Sequence, residues 1–168
     1  MYLLADAAID ITCPSTEAFA YACDLENFAV WFPGVLNVTA ENDLPFDRRG
    51  REYRETVEIP LRGRRSVAIR VVDSEPPRCL VTEGDLPILL PRMEIRINRS
   101  GPDACTVHWR MLSRNDNAFV RAAVLPLARL VMAKRAATGL SRLKGQLEEG
   151  RRREARGDGA VNQWRPGG

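Results

Sequence analysis

Two side chains in this 168-residue sequence combine a reactive type with a telling position: Tyr53 and Glu55, in the run Gly50 to Ile59. The alternation that turns Val57 and Ile59 toward an interior turns Tyr53 and Glu55 the same way. A carboxylate facing apolar surroundings is costly unless something pairs with it. Glu55 is therefore expected to be a ligand contact, an arginine's partner or a proton-transfer group with a raised pKa. With Tyr53 it could act as acid and base toward an enolisable carbonyl. The alternative is a twist or bulge that returns Glu55 to solvent.

Other reactive groups are sparse. The sole histidine, His108, falls on the outward parity if Trp109 faces in, which leaves a serine or cysteine triad without its base. Cys13, Cys23, Cys79 and Cys105 form no C-x-x-C pair, so the expectation is reduced, buried thiols, no metal and no cofactor. No glycine-rich phosphate loop or dinucleotide fingerprint is present.

The elements that must position Glu55 follow from pattern. Leu3 to Thr12 alternates as a strand, with Leu3, Ala5, Ala7, Ile9 and Ile11 on one face. After Pro14, Ser15 or Thr16 caps a short helix that buries Ala18, Phe19, Ala22 and Cys23, and Asp24 caps a second one that stops at Pro33-Gly34. Six further strands are expected at Val35–Ala40, Gly50–Ile59, Ser66–Glu75, Cys79–Leu86, Arg92–Arg99 and Ala104–Ser113. No βαβ rhythm appears, so the sheet is antiparallel. A long helix from Asn117 to Glu149 carries Leu127, Leu130, Val131, Leu140, Leu143 and Leu147 at spacings of three and four, with Pro126 kinking it or opening its main segment. Gly139 and its neighbouring alanines keep the helix thin. Thinness serves either a space beneath the helix or close packing on the sheet.

A curled antiparallel sheet around one helix can enclose a container. Its walls would be Val57, Ile69, Met93, Ile95, Val107, Trp109 and Met111 from the strands, with Leu127, Leu130 and Val131 from the helix; the same residues would equally make a filled core. A meander returns alternate connections to one end, gathering Trp31 to Gly34, Pro60 to Arg65, Leu86 to Arg92 and Ser113 to Asn117. There, Pro87-Ile88-Leu89-Leu90-Pro91 reads as an apolar lip or as side chains tucked into the core. Arg62, Arg64, Arg65 and Arg92 could hold an acidic headgroup at the mouth, or form a solvated turn.

Length and composition, with 45% hydrophobic and 28% charged residues, fit one soluble domain over residues 1–149. The apolar start Tyr2-Leu3-Leu4-Ala5 meets Asp6 too early for a signal peptide or membrane span, and the expected location is the cytoplasm. Net charge is −4 from Met1 to Asp116 and +7 from Asn117 to Gly168. Residues 150–168 read as a disordered basic tail, and the sheet lacks the exposed aromatics of a nucleic-acid platform. The expected partners are a hydrophobic small molecule, with an acidic headgroup as an option, and a peripheral membrane contact. The expected assembly is a monomer or homodimer.

Three local patterns resemble a known family: Ile9-Asp10-Ile11 through Pro14 to Ala18-Phe19; Asp24-Leu25-Glu26-Asn27-Phe28 through Trp31-Phe32-Pro33-Gly34-Val35; and Leu140-Ser141-Arg142-Leu143-Lys144-Gly145-Gln146-Leu147-Glu148. With the element order, they are similar to the SRPBCC, or START-like, superfamily of lipid-transfer domains, polyketide cyclases and pollen-allergen-like proteins. The resemblance implies an α+β helix-grip fold: a seven-stranded antiparallel sheet curled around a long C-terminal helix, with two short helices after the first strand. It also implies a cavity for a lipid, polyketide or quinone-like ligand, in which some members catalyse cyclisation or dehydration. Binding or transfer is the leading expectation and polyketide cyclisation or dehydration the alternative; a regulatory module using the basic helix and tail is a third.

Overall fold

In the computed structural model, which describes residues 1–60 and 62–156, alternating apolar runs pair into one antiparallel sheet of seven strands. Its spatial order is β1 (Tyr2–Ile11), β7 (Ala104–Ser113), β6 (Pro91–Gly101), β5 (Cys79–Gly84), β4 (Gly63–Glu75), β3 (Glu52–Ile59) and β2 (Val35–Ala40). Only the link from β1 to β2 crosses the sheet, and α1 (Ser15–Cys23), a 3₁₀ turn (Leu25–Asn27) and α2 (Phe28–Trp31) fill it. A π-helical turn (Val120–Val124) then leads into α3 (Leu125–Ala155). This is the expected helix-grip fold.

Local chemistry accounts for the element ends. The Asp24 carboxylate accepts a hydrogen bond from the Glu26 amide, as a cap should. The helix α1 begins differently from expectation, because Pro14 takes the N-cap position and neither Ser15 nor Thr16 supplies a side-chain cap. Asn117 caps the C-terminal helical stretch by accepting from the amides of Phe119 and Val120. Pro126 stands in the first turn of α3, where its missing N–H costs nothing. In β1 a bulge between Leu3 and Ala5 turns Leu4, rather than Leu3, fully into the core.

The helix α3 buries Leu125, Met132, Ala136, Gly139, Leu140, Leu143 and Leu147. The expected stripe therefore holds from Leu140 onward and fails before it: Leu127 and Leu130 are 70% and 74% exposed. Exposed leucines carry the same letter as buried ones, and the small residues Ala136 and Gly139 mark the true contact face. A Cβ on Gly139 would stand 3.0 Å from a Phe32 ring carbon and 3.4 Å from the Trp31 carbonyl oxygen, so the thin middle of the helix serves close packing. The helix also outruns the expected domain end at Glu149. Arg151 pairs with Asp103 at 2.9 Å and donates to the Thr12 carbonyl, holding the last turns against the β1 and β7 ends. The rest of the expected tail, residues 157–168, lies outside the described residues, as does Leu61. All four cysteines are free, and burial pushes the Cys13 thiol up to about 12.

Two glycines of α3 should respond with opposite signs. Gly139→Leu overpacks the contact with Phe32 and should lower stability by about 1–3 kcal/mol. Gly145→Ala, with nothing within 4 Å of the added methyl, should raise it by about 1 kcal/mol. Urea denaturation of both variants checks the pair.

Candidate functional site

A cluster of aromatic rings decides where the space between sheet and helix is filled. Phe28 stacks on Phe32 at 4.7 Å between centroids, Phe32 meets the Trp109 ring at 4.8 Å, and Trp31 stands edge-on to both phenylalanines. These rings plug the middle of the grip. Beyond them, toward the start of α3, a cavity of about 340 Å³ remains, at the lower end of the size usual for small-molecule sites. Phe28, Phe32, Val35, Val57, Ile59 and Met111 line it on the sheet and α2 side, and Val124, Leu127, Ala128, Val131 and Met132 on the helix side. A deeper recess of about 30 Å³, room for one water, continues past Glu55 to Ile69, Thr82 and Met93.

The outer wall is the lip between β5 and β6. Leu86, Pro87, Ile88, Leu89 and Pro91 border the cavity, while Leu90 does not. Ile88 and Leu90 hold positive φ angles of 74° and 42°, which side chains with a Cβ rarely adopt and which cost about 1–3 kcal/mol each. Hydrogen bonds from the end of β7 hold this shape: Ser113 Oγ donates to the Leu89 carbonyl at 2.6 Å, and Asn115 Nδ2 to the Ile88 carbonyl at 2.7 Å. Two prolines and two strained residues thus keep aliphatic side chains at an entrance.

Within these apolar walls stand two charged groups. Glu55 faces in from β3, as its parity with Val57 requires, and only 8% of the residue is exposed. Its backbone pairs in the ladders with Val38 and Val67, but its carboxylate makes no hydrogen bond or ion pair with any other described residue. Burial pushes its carboxyl up to about 7, against a smaller opposing pull from Arg135. Arg135 reaches in from α3 and donates to the Glu58 carbonyl at 2.8 Å. Its guanidinium lies against Gly34, whose φ of +89° and missing side chain both matter, since a Cβ there would collide with the guanidinium carbon. Burial lowers the Arg135 pKa, with Glu58 and Glu55 opposing the shift. A hydrogen-bond donor of fixed charge and a carboxyl that can hold its proton near neutral pH therefore border one cavity.

The expected site residues divide by position. Glu55, Val57, Ile88, Leu89, Met111, Leu127, Val131 and Arg62 border the main cavity, and Ile69 and Met93 the recess. Trp31, Ile95, Val107 and Trp109 are packed core, because the aromatic plug occupies the space they were expected to enclose. Tyr53 is wholly buried elsewhere: Arg51 lies over its ring, and its hydroxyl reaches the Phe46 carbonyl at 3.4 Å. The acid and base pair of Tyr53 with Glu55 is thereby broken. Leu130 points to solvent. Arg92 sits on the opposite face of the sheet, paired with Glu83 at 2.8 Å, because Met93 takes the inward parity. Arg64 and Arg65 are exposed and do not border the cavity. The sequence reading missed Arg135, whose only signal was a Lys-Arg pair on a helix; Phe32 was placed at the rim with Trp31 to Gly34, whereas Phe28 was visible only as part of a short helix.

Comparison with known proteins agrees with the fold. Residues 4–148 match the family model described as polyketide cyclase / dehydrase and lipid transport. Among solved structures, the Zhui aromatase/cyclase from Streptomyces sp. R1128 superposes with a TM-score of 0.65 at 16% identity, covering 93% of this chain and 97% of that one. A protein from Thermobifida fusca gives 0.64 at 15% identity, covering 86% and 93%. The di-domain ARO/CYC StfQ of the steffimycin biosynthetic pathway gives 0.64 at 11% identity, covering 88% of this chain and 51% of that one. At these identities the likeness is one of fold. No curated protein matches the sequence.

The buried carboxyl predicts a pH dependence of stability. A carboxyl at about 7 in the folded chain and 4.5 when unfolded binds its proton more tightly in the native state. Its contribution is therefore complete below pH 4.5 and is lost as pH rises through 7, by roughly 3 kcal/mol. Glu55→Gln should remove that slope, so thermal melts from about pH 5 to about pH 8 should fall for the parent and stay nearly level for the variant.

Proposed function

The chain belongs to the polyketide cyclase/dehydrase and lipid transport family, and on that premise we propose that it binds and carries an apolar small molecule, of lipid, polyketide or quinone-like type, in the cavity beneath the start of α3. The polar end of the molecule lies between Glu55 and Arg135. One observation carries the reading: a buried carboxyl with no hydrogen-bond or ion-pair partner among the described residues, inside walls that are aliphatic and aromatic apart from Arg135 and Arg62. An unpaired buried polar group is expensive, and a ligand oxygen would relieve that cost by accepting from protonated Glu55 and from the Arg135 guanidinium. The expectation of an acidic headgroup then moves from Arg64, Arg65 and Arg92 to Arg135 and, at the rim, Arg62.

A second reading draws on the position of the Glu55 pKa. A carboxyl near 7 is suited to moving a proton at neutral pH, and Arg135 is placed to hold a developing enolate oxygen. The names of the Zhui and StfQ proteins support this alternative of a cyclase or dehydratase. Here Glu55 acts alone as the acid or base, without Tyr53.

Native mass spectrometry of gently purified protein, followed by solvent extraction, should recover an apolar molecule with an oxygenated end. Replacing both Ile88 and Leu89 by Ser should weaken uptake of an apolar fluorescent probe by about tenfold or more. Unchanged uptake in the folded variant would rule the cavity out as the binding site. The two readings part at Glu55→Gln: a carrier should lose only several-fold in affinity, whereas a catalyst should also lose α-proton exchange of a bound dicarbonyl probe by about a hundredfold or more.

A further inference from the structure

We propose that the surface around the cavity mouth, formed by the helical stretch from Phe119 to Lys134 and by Arg62, Arg64 and Arg65, docks on an anionic lipid bilayer. The docking does not depend on the ligand reading above, only on where the cavity opens.

Three large apolar side chains stand out from this surface: Phe119, Leu127 and Leu130 are 75%, 70% and 74% exposed. They are not scattered. In a regular helix, eight residues would leave Phe119 about 80° away from the direction of Leu127. The π-helical turn at Val120–Val124 takes up one extra residue, which reduces that offset to about 20°. Leu130 lies one turn beyond Leu127 on the neighbouring row. The helical irregularity thus gathers the three into one outward stripe, and Leu127 is also part of the cavity rim.

Charge selects the partner. From Asn117 to Leu147 the sequence has no Asp or Glu, against six Lys or Arg. Two of these are engaged, Arg135 in the cavity and Lys144 with Glu148. Arg121, Arg129 and Lys134 are exposed on the helical stretch; across the mouth Arg62 borders the cavity, and Arg64 and Arg65 are exposed at the adjoining start of β4. None of these six forms an ion pair with another described residue. The exposed acids beside these segments are Glu58, Asp85 and Asp116, and the Asp85 carboxylate accepts from the Ala68 amide at 2.7 Å.

An apolar stripe flanked by unpaired cations suits an interface of acyl chains beneath anionic headgroups, where long basic side chains reach up to the phosphates. A second copy of the chain would instead bring the same cations against each other across a two-fold axis. A bilayer also meets the cavity at its entrance, so an apolar molecule could pass between them without crossing water.

Flotation with vesicles of phosphatidylcholine alone, and of phosphatidylcholine mixed with phosphatidylglycerol, tests the proposal. The parent protein should bind the anionic vesicles at least about tenfold more tightly than the neutral ones, and several-fold more weakly as salt is raised. Phe119→Ser combined with Leu130→Ser should cost about tenfold or more on anionic vesicles. Neither residue borders the cavity, so uptake of an apolar probe without vesicles should be unchanged, which separates failure of docking from failure of the ligand reading. The proposal is overturned if the parent ignores anionic vesicles, or if the folded double variant binds them equally well. It is likewise overturned if the parent is a dimer that the double variant dissolves while vesicles go unbound.

Discussion

The contact on which the architecture depends is the one between α3 and the short helix α2. Gly139 lets the long helix come down on Phe32 and Pro33, and Phe32 passes that contact through to Trp109 on the sheet. Where these groups meet, the space between the two layers is filled to ordinary protein density. Where they end, toward Val124, the sheet and the helix have only one another's aliphatic side chains to face, and a chamber remains. A bulkier residue at the contact would push the helix away along its length, so the close approach and the opening are two consequences of one packing decision.

That chamber would be an ordinary packing void but for Glu55 and Arg135. Glu55 is buried and Arg135 half-buried, and each has a pKa displaced mainly by burial. The fold tolerates them because they come from different layers: Glu55 is fixed by strand parity, and Arg135 by the Gly34 cradle and the Glu58 carbonyl. Their mutual influence reduces the cost of each charge without joining them in a tight pair, which leaves hydrogen-bonding capacity directed at the cavity. The lip adds a second expense, bulky residues at positive φ, and the hydrogen bonds of Ser113 and Asn115 offset it. Cost concentrated in a region otherwise made of regular strands marks where a fold has been shaped for something other than stability.

Much of this was legible in the residues, and the failures are instructive. The inward turn of Glu55 followed from a period of two, which a continuous strand cannot evade. The same parity placed Tyr53 inside as well, correctly, but two residues along a strand is far enough to cross from the chamber into a different part of the core. For α3 the period of 3.6 was sound, while the phase was not. Leucines at 127 and 130 suggested one face, and the small residues at 136 and 139 determined another. Arg135 was hidden because an arginine on a basic helix looks the same whether it faces water or a cavity.

The sequence by itself determined the main elements, their order, the antiparallel sheet and, away from the β1 bulge, the facing of the strands, because these depend on local backbone preference and on periodic apolar spacing. Tertiary structure alone decided which inward residues border a void and which fill it, and which arginine answers the buried carboxyl. Those outcomes are set by how closely two layers approach, and that distance is fixed by contacts between residues remote in the chain, such as Gly34 with Arg135 and Phe32 with Gly139.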